Sequence, residues 1–126
     1  MPKILVVDDS ALMRRRISQM LERRGWQGVT ARNGQHALQM VESQQPDAIT
    51  LDINMPEMDG LTFLACLMQQ RPTPVVMVSS LTEGGALATL EALQLGAVDY
   101  VHKPDGTVSL SVEVVERQLC EKVAAA

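Results

Sequence analysis

A chain of 126 residues holds one domain, long enough to bury roughly two thirds of its unfolded surface around a single core. Apolar residues make up 46% and charged residues 21%, which excludes a disordered chain. A net charge of −4, with one Phe, one Trp and one Tyr, excludes a general nucleic-acid binder, which needs a basic surface and stacking aromatics.

In chain order, the first apolar run is ILVV, residues 4–7, and it ends abruptly in Asp8 and Asp9. It follows a single Lys and is too short for a signal peptide or a membrane span, so no membrane insertion is expected and the cytoplasm is the default. The run does not alternate with polar residues, as suits a strand covered on both faces. Met13, Ile17, Met20 and Leu21 then recur at helical spacing, with Ser10 placed to cap the helix and Gly25 to follow its end. A weaker strand, GVTA at 28–31, precedes a helix marked by Ala37, Leu38 and Val41. AITL at 48–51 leads into Asp52, and a helix with Leu61, Leu64, Ala65 and Met68 follows, with Asp59 at its cap position. VVMV at 75–78 leads into Ser79 and Ser80, followed by Leu87, Leu90 and Leu93 at helical spacing and by Gly96. AVDYV at 97–101 ends shortly before Lys103, and Val112, Val115 and Leu119 mark a last helix. Pro46, Pro72 and Pro74 lie just ahead of strands, where a missing N–H does least harm.

Five strands alternating with five helices make a (βα)5 chain, one domain over residues 1–126. Right-handed crossovers then give a parallel sheet between two helical layers, and ligands of such sheets collect at the carboxyl ends of the strands. Asp8, Asp9, Asp52, Ser79, Ser80 and Lys103 all fall at that edge. If the first and third strands are neighbours, three carboxylates meet, and each like-charged pair at ~5 Å costs about 3 kcal/mol at an effective dielectric of ~20. Such a pocket demands a cation or a raised pKa. Only oxygen ligands are on offer, so the cation is a hard one, and Mg2+ suits a site built from one or two carboxylates plus a phosphate. The competing reading makes Asp8 and Asp9 part of the cap of the first helix; Asp52 and Lys103 at matching positions weigh against it.

The segments ILVVDDSALMRRRI, LDINMPEMDG, VVMVSS and GAVDYVHKP resemble, in order and in spacing, the motifs of the receiver domain of two-component response regulators. The resemblance spans nearly the whole chain and implies a flavodoxin-like three-layer fold with strand order 2-1-3-4-5. It implies that Asp52 is the phosphoacceptor, taking a phosphoryl group from a histidine kinase. Asp8 and Asp9 would hold Mg2+ together with Asp52 and the backbone carbonyl of Asn54. Lys103 would contact a phosphoryl oxygen, Ser79 would be the switch hydroxyl and Tyr100 the switch aromatic. Asn54 and Leu81 would gate the water that removes the phosphoryl group and so tune its lifetime. A receiver of this kind catalyses its own modification and turns over no outside substrate.

A stretch of about 35 residues from Val75, notably VSSLT and KPDGTVSL, resembles receivers of chemotaxis-type protein-glutamate methylesterases. It implies a methylesterase output domain as the regulated partner. No GxSxG nucleophile elbow occurs, so that domain is expected outside these 126 residues. A stand-alone receiver acting on another protein is the alternative. A Mg2+ phosphohydrolase would want an Asp two residues after its nucleophile, where this chain has Asn54, and a flavin binder would want hydroxyls after the first strand, where this chain has acid. Cys66 and Cys120 stand far apart inside helical stretches and read as packing residues. Arg14, Arg15 and Arg16 read as a solvated rim of the first helix, with a share in kinase docking.

Overall fold

Burial alternates between two cores along the first strand: Leu5 and Val7 enter one, Ile4 and Val6 the other. That is the period-2 geometry of a strand covered on both sides. The computed structural model describes residues 2–52, 60–79, 83–102 and 112–126, with the backbone alone at positions 79, 83–88, 102 and 112–115. Its elements are β1 (Lys3–Val7), α1 (Ala11–Glu22), β2 (Gln27–Ala31), α2 (Gly34–Gln44), β3 (Ala48–Asp52), α3 (Gly60–Gln70), β4 (Val75–Ser79), α4 (Glu83–Leu95), β5 (Asp99–His102) and α5 (Val112–Ala125). The strands form one parallel sheet in the order β2-β1-β3-β4-β5. This is the flavodoxin-like topology.

One core sits beneath α2, α3 and α4, where Phe63, Leu64, Leu67 and Ala92 pack on Leu5, Ile49, Leu51 and Met77. The other lies beneath α1 and α5, where Ile17, Met20, Leu21, Leu119 and Cys120 cover Ile4, Val6, Val76 and Val101. Trp26 packs against the second core from its edge. Each fully buried large side chain adds about 1.5–3 kcal/mol of transfer free energy, so both layers bind the sheet strongly.

Local signals account for several element ends. The Ser10 side chain accepts the Met13 N–H and caps α1, and Asn33 does the same for α2 through the His36 N–H. After α4, Gly96 adopts φ 122°, which favours glycine, and a Cβ there would lie 3.2 Å from the Met68 side chain, which would have to give way slightly. The end of α2 breaks the pattern: Gln45 takes the left-handed conformation at φ 48°, with its N–H bonded to the Val41 carbonyl. No Gly or Asn marks that stop.

Two expectations shift. The fifth strand runs over 99–102 instead of 97–101, because the Ala97 N–H still bonds to the Ala92 carbonyl, as part of the α4 terminus. In α4 the inward face carries Thr89, Ala92 and half-buried Leu93, whereas Leu90 is exposed. Mean hydropathy in that helix is high all round, so spacing alone could not choose the buried side.

Candidate functional site

Val7 pairs with Leu51 in the β1–β3 ladder, so Asp8 and Asp52 occupy adjacent places at the carboxyl edge. Asp8 is 0% and Asp52 3% exposed, while Asp9 faces solvent. One carboxylate oxygen from each of the three lies within 4.8 Å of the other two. Burying two like-charged groups this close is unfavourable unless a cation or a proton offsets them.

Asp8 is anchored from several sides. Its N–H donates to the Ala31 carbonyl at 3.2 Å, and its Oδ1 accepts the Ser10 N–H at 2.9 Å. Its carbonyl oxygen accepts from the Arg14 guanidinium at 2.7 Å. Asp8 therefore helps to organise the start of α1 while it stays in the carboxylate cluster; Ser10, and neither acid, is the N-cap. Arg14 corrects the reading of Arg14, Arg15 and Arg16 as one solvated rim. It is half-buried against the site, whereas Arg15 and Arg16 are exposed. A cation in the first turn of a helix opposes the helix dipole, and that was the signal available in the sequence.

Below the carboxylates, Thr50 shares the face of β3 that carries Asp52 and is 1% exposed. Among the described residues its hydroxyl has no hydrogen-bond partner. The cluster offers only hard oxygen donors, two from inside the fold and one from its surface. This donor set fits a hard divalent cation such as Mg2+ and gives a soft metal nothing.

Of the remaining expected site residues, Ser79 is the last residue of β4 and pairs in register with His102, so its backbone lies at the same edge. Asn54, Ser80, Leu81 and Lys103 lie outside the described residues, as does Asp59. Tyr100, in β5, is 38% exposed and is not a core aromatic. Its carbonyl accepts from the Lys122 ammonium at 2.7 Å, and that ammonium lies 5.1 Å from the centre of its ring.

Cys120 is buried and its Sγ lies 3.7 Å from the Met20 carbonyl; burial pushes its thiol pKa up, as expected of a packing cysteine. Cys66 is half-buried. Arg23 of the α1 terminus pairs with Glu116 of α5, its Nε donating at 2.9 Å, and that bond holds the guanidinium pKa up. Among the described residues, no helix is long and apolar enough to cross a membrane.

The sequence model of the response regulator receiver domain matches residues 4–114. The protein-glutamate methylesterase/protein-glutamine glutaminase 3 of Rhodospirillum rubrum is 62% identical over 127 residues, a match covering 100% of this chain and 34% of that protein. The chain thus spans about a third of the length of the curated relatives it matches. The crystal structure of the response regulator domain of Thermotoga maritima CheB superposes with a TM-score of 0.87 at 41% identity, covering 100% of this chain and 96% of that one. The chemotaxis protein CheY4 of Vibrio cholerae gives a TM-score of 0.79 at 30% identity over 96% and 98% of the two chains.

Proposed function

Because the chain belongs to the response regulator receiver family, we propose that it is a phosphoacceptor in which Asp52 takes a phosphoryl group from a histidine kinase. The observation that carries this reading is the cluster itself: three carboxylate oxygens within 4.8 Å, with Asp52 buried among them. A buried carboxylate is a competent nucleophile once its charge is offset.

In the transfer, an Asp52 oxygen attacks the phosphorus of the kinase phosphohistidine. The P–O bond forms as the P–N bond breaks, and the imidazole leaves with the electron pair and takes up a proton. Asp8, Asp9, Asp52 and the backbone carbonyl of Asn54 would hold Mg2+, which when bound offsets charge on the phosphoryl oxygens. Lys103 supplies a second cation to those oxygens, and Ser79 donates a hydrogen bond to them. That bond draws in the end of β4 and alters the setting of Tyr100. Asn54 and Leu81 control the water that hydrolyses the acyl phosphate; an apolar Leu81 cannot orient it, which favours a long lifetime.

The regulated partner is a methylesterase output domain, in keeping with the names of the relatives that share this sequence over a third of their length. The chain in that case is a switch that catalyses only its own phosphorylation and dephosphorylation. Mass spectrometry after incubation with acetyl phosphate and Mg2+ tests the assignment: one phosphoryl group adds ~80 Da to the nucleophile. Asp52→Asn abolishes the adduct. A retained adduct moves the phosphoacceptor to another residue.

A further inference from the structure

We propose that Lys122 is a positioning residue for Tyr100, its ammonium holding the ring in the outward setting and so opposing activation. The inference rests on the reading of Tyr100 as the aromatic that responds to phosphorylation.

Strand β5 is the last in the sheet order and, among the described residues, has a ladder partner on one side only. Edge strands leave backbone groups in need of partners. At Tyr100 those groups are answered from outside the ladder. Its N–H donates to Asp99 Oδ1 at 2.8 Å, and its carbonyl accepts from Lys122 Nζ at 2.7 Å. The same ammonium pairs with Asp99 Oδ1 at 3.3 Å, closing a ring of three interactions, two of which join α5 to β5. It is held by two anchors on the backbone side and, from that fixed place, lies 5.1 Å from the ring centre. This is within reach of the attraction between a cation and the negative face of an aromatic ring.

The contacts differ in what they can control. The bonds to the Tyr100 carbonyl and to Asp99 are indifferent to the direction of the ring, so they seal the strand edge in either setting. Of the three contacts of the Lys122 ammonium, only that with the ring depends on the direction of the ring, and a switch responds only to such a difference. At an exposed site a contact of this kind shifts the balance roughly two- to five-fold. Lys122 therefore sets a modest resting bias against the turned-in ring, one that binding at Asp52 can overcome.

Tyr100 is the sole tyrosine of the chain, so 3-fluorotyrosine incorporation gives a single 19F NMR resonance. The measurement compares the native chain with Lys122→Met and Lys122→Arg, without ligand and with Mg2+ and beryllofluoride, which stands in for the phosphoryl group. In Lys122→Met the ligand-free resonance moves toward its beryllofluoride position, and the beryllofluoride midpoint falls two- to five-fold. Lys122→Arg, whose guanidinium also stacks on rings, stays near the native values. Asp99→Asn, which loosens the ammonium without removing it, shifts the resonance in the same direction by less. A folded Lys122→Met protein with the native resonance and the native midpoint overturns the proposal. If the native resonance ignores beryllofluoride altogether, the switch reading of Tyr100 fails; a displaced ligand-free resonance in Lys122→Met then still upholds the hold of Lys122 on the ring.

Discussion

The Arg14 guanidinium lies 2.7 Å from the carbonyl oxygen of Asp8, joining the first turn of α1 to the end of β1. The contact places a cation beside the carboxylate cluster without neutralising any carboxylate, because its acceptor is a backbone oxygen. Its work is to hold the Asp8–Asp9 peptide in place.

Arg14→Met should therefore lower unfolding stability by about 1–2 kcal/mol, the scale of a part-buried hydrogen bond from a charged donor. It should also weaken Mg2+ binding, because Asp8 loses an anchor. Simple charge counting predicts the opposite, since removing a cation strengthens attraction for Mg2+. Titration of the amide NMR signals of residues 8–10 with Mg2+ separates the two, and tighter binding in Arg14→Met would sink the anchoring role.

Three carboxylate oxygens within 4.8 Å repel one another, and Mg2+ would offset that repulsion. Asp52→Asn should raise stability in chelator-treated buffer by about 1–3 kcal/mol, from the Coulomb repulsion of carboxylates ~5 Å apart at an effective dielectric of ~20. The advantage should shrink as Mg2+ is added, because the cation stabilises only the native site. Urea denaturation at several Mg2+ concentrations measures both. A native chain as stable as Asp52→Asn in chelator would mean that neighbouring groups already offset the repulsion.

Thr50 is buried on the central strand, and its hydroxyl has no hydrogen-bond partner among the described residues. Val has nearly the same shape and no polar atom to desolvate. Thr50→Val should stabilise the chain by about 1 kcal/mol, toward the lower end of the penalty for an unsatisfied buried group. Chemical denaturation reads this directly, and a loss of stability would show that the hydroxyl has a role in the native state.

The buried Cys120 thiol has a pKa raised above its ordinary value of 9.0 by desolvation. The unfolded chain then gives up this proton at lower pH than the folded chain does. The contribution is fully present below the ordinary value and is lost as pH rises from there through the folded-state value. Stability of the native chain should fall more steeply above pH 9.0 than that of Cys120→Ala, although the variant is less stable at neutral pH through lost packing. Parallel slopes for the two proteins would rule out a titration of Cys120 in this range.

Some of this molecule was legible from one dimension. Strands and helices follow from local periodicity, and the caps at Ser10 and the turn at Gly96 follow from residue chemistry. The approach of Asp8 and Asp9 to Asp52 could be anticipated because each follows an apolar run, and parallel strands place all such ends on one edge. What folding in three dimensions decided was pairing at a distance. Leu90 and Ala92 are both apolar, yet only Ala92 turns inward, since α4 packs by shape against α3 and β4. Three consecutive arginines are alike as a string, but only Arg14 meets a carbonyl that the β1 end presents to α1. Lys122 and Tyr100 are 22 residues apart and carry no shared motif; their contact exists because α5 packs back along β5. Polar contacts of that kind depend on ångström distances between separate elements, a quantity that hydrophobic spacing along a chain does not encode.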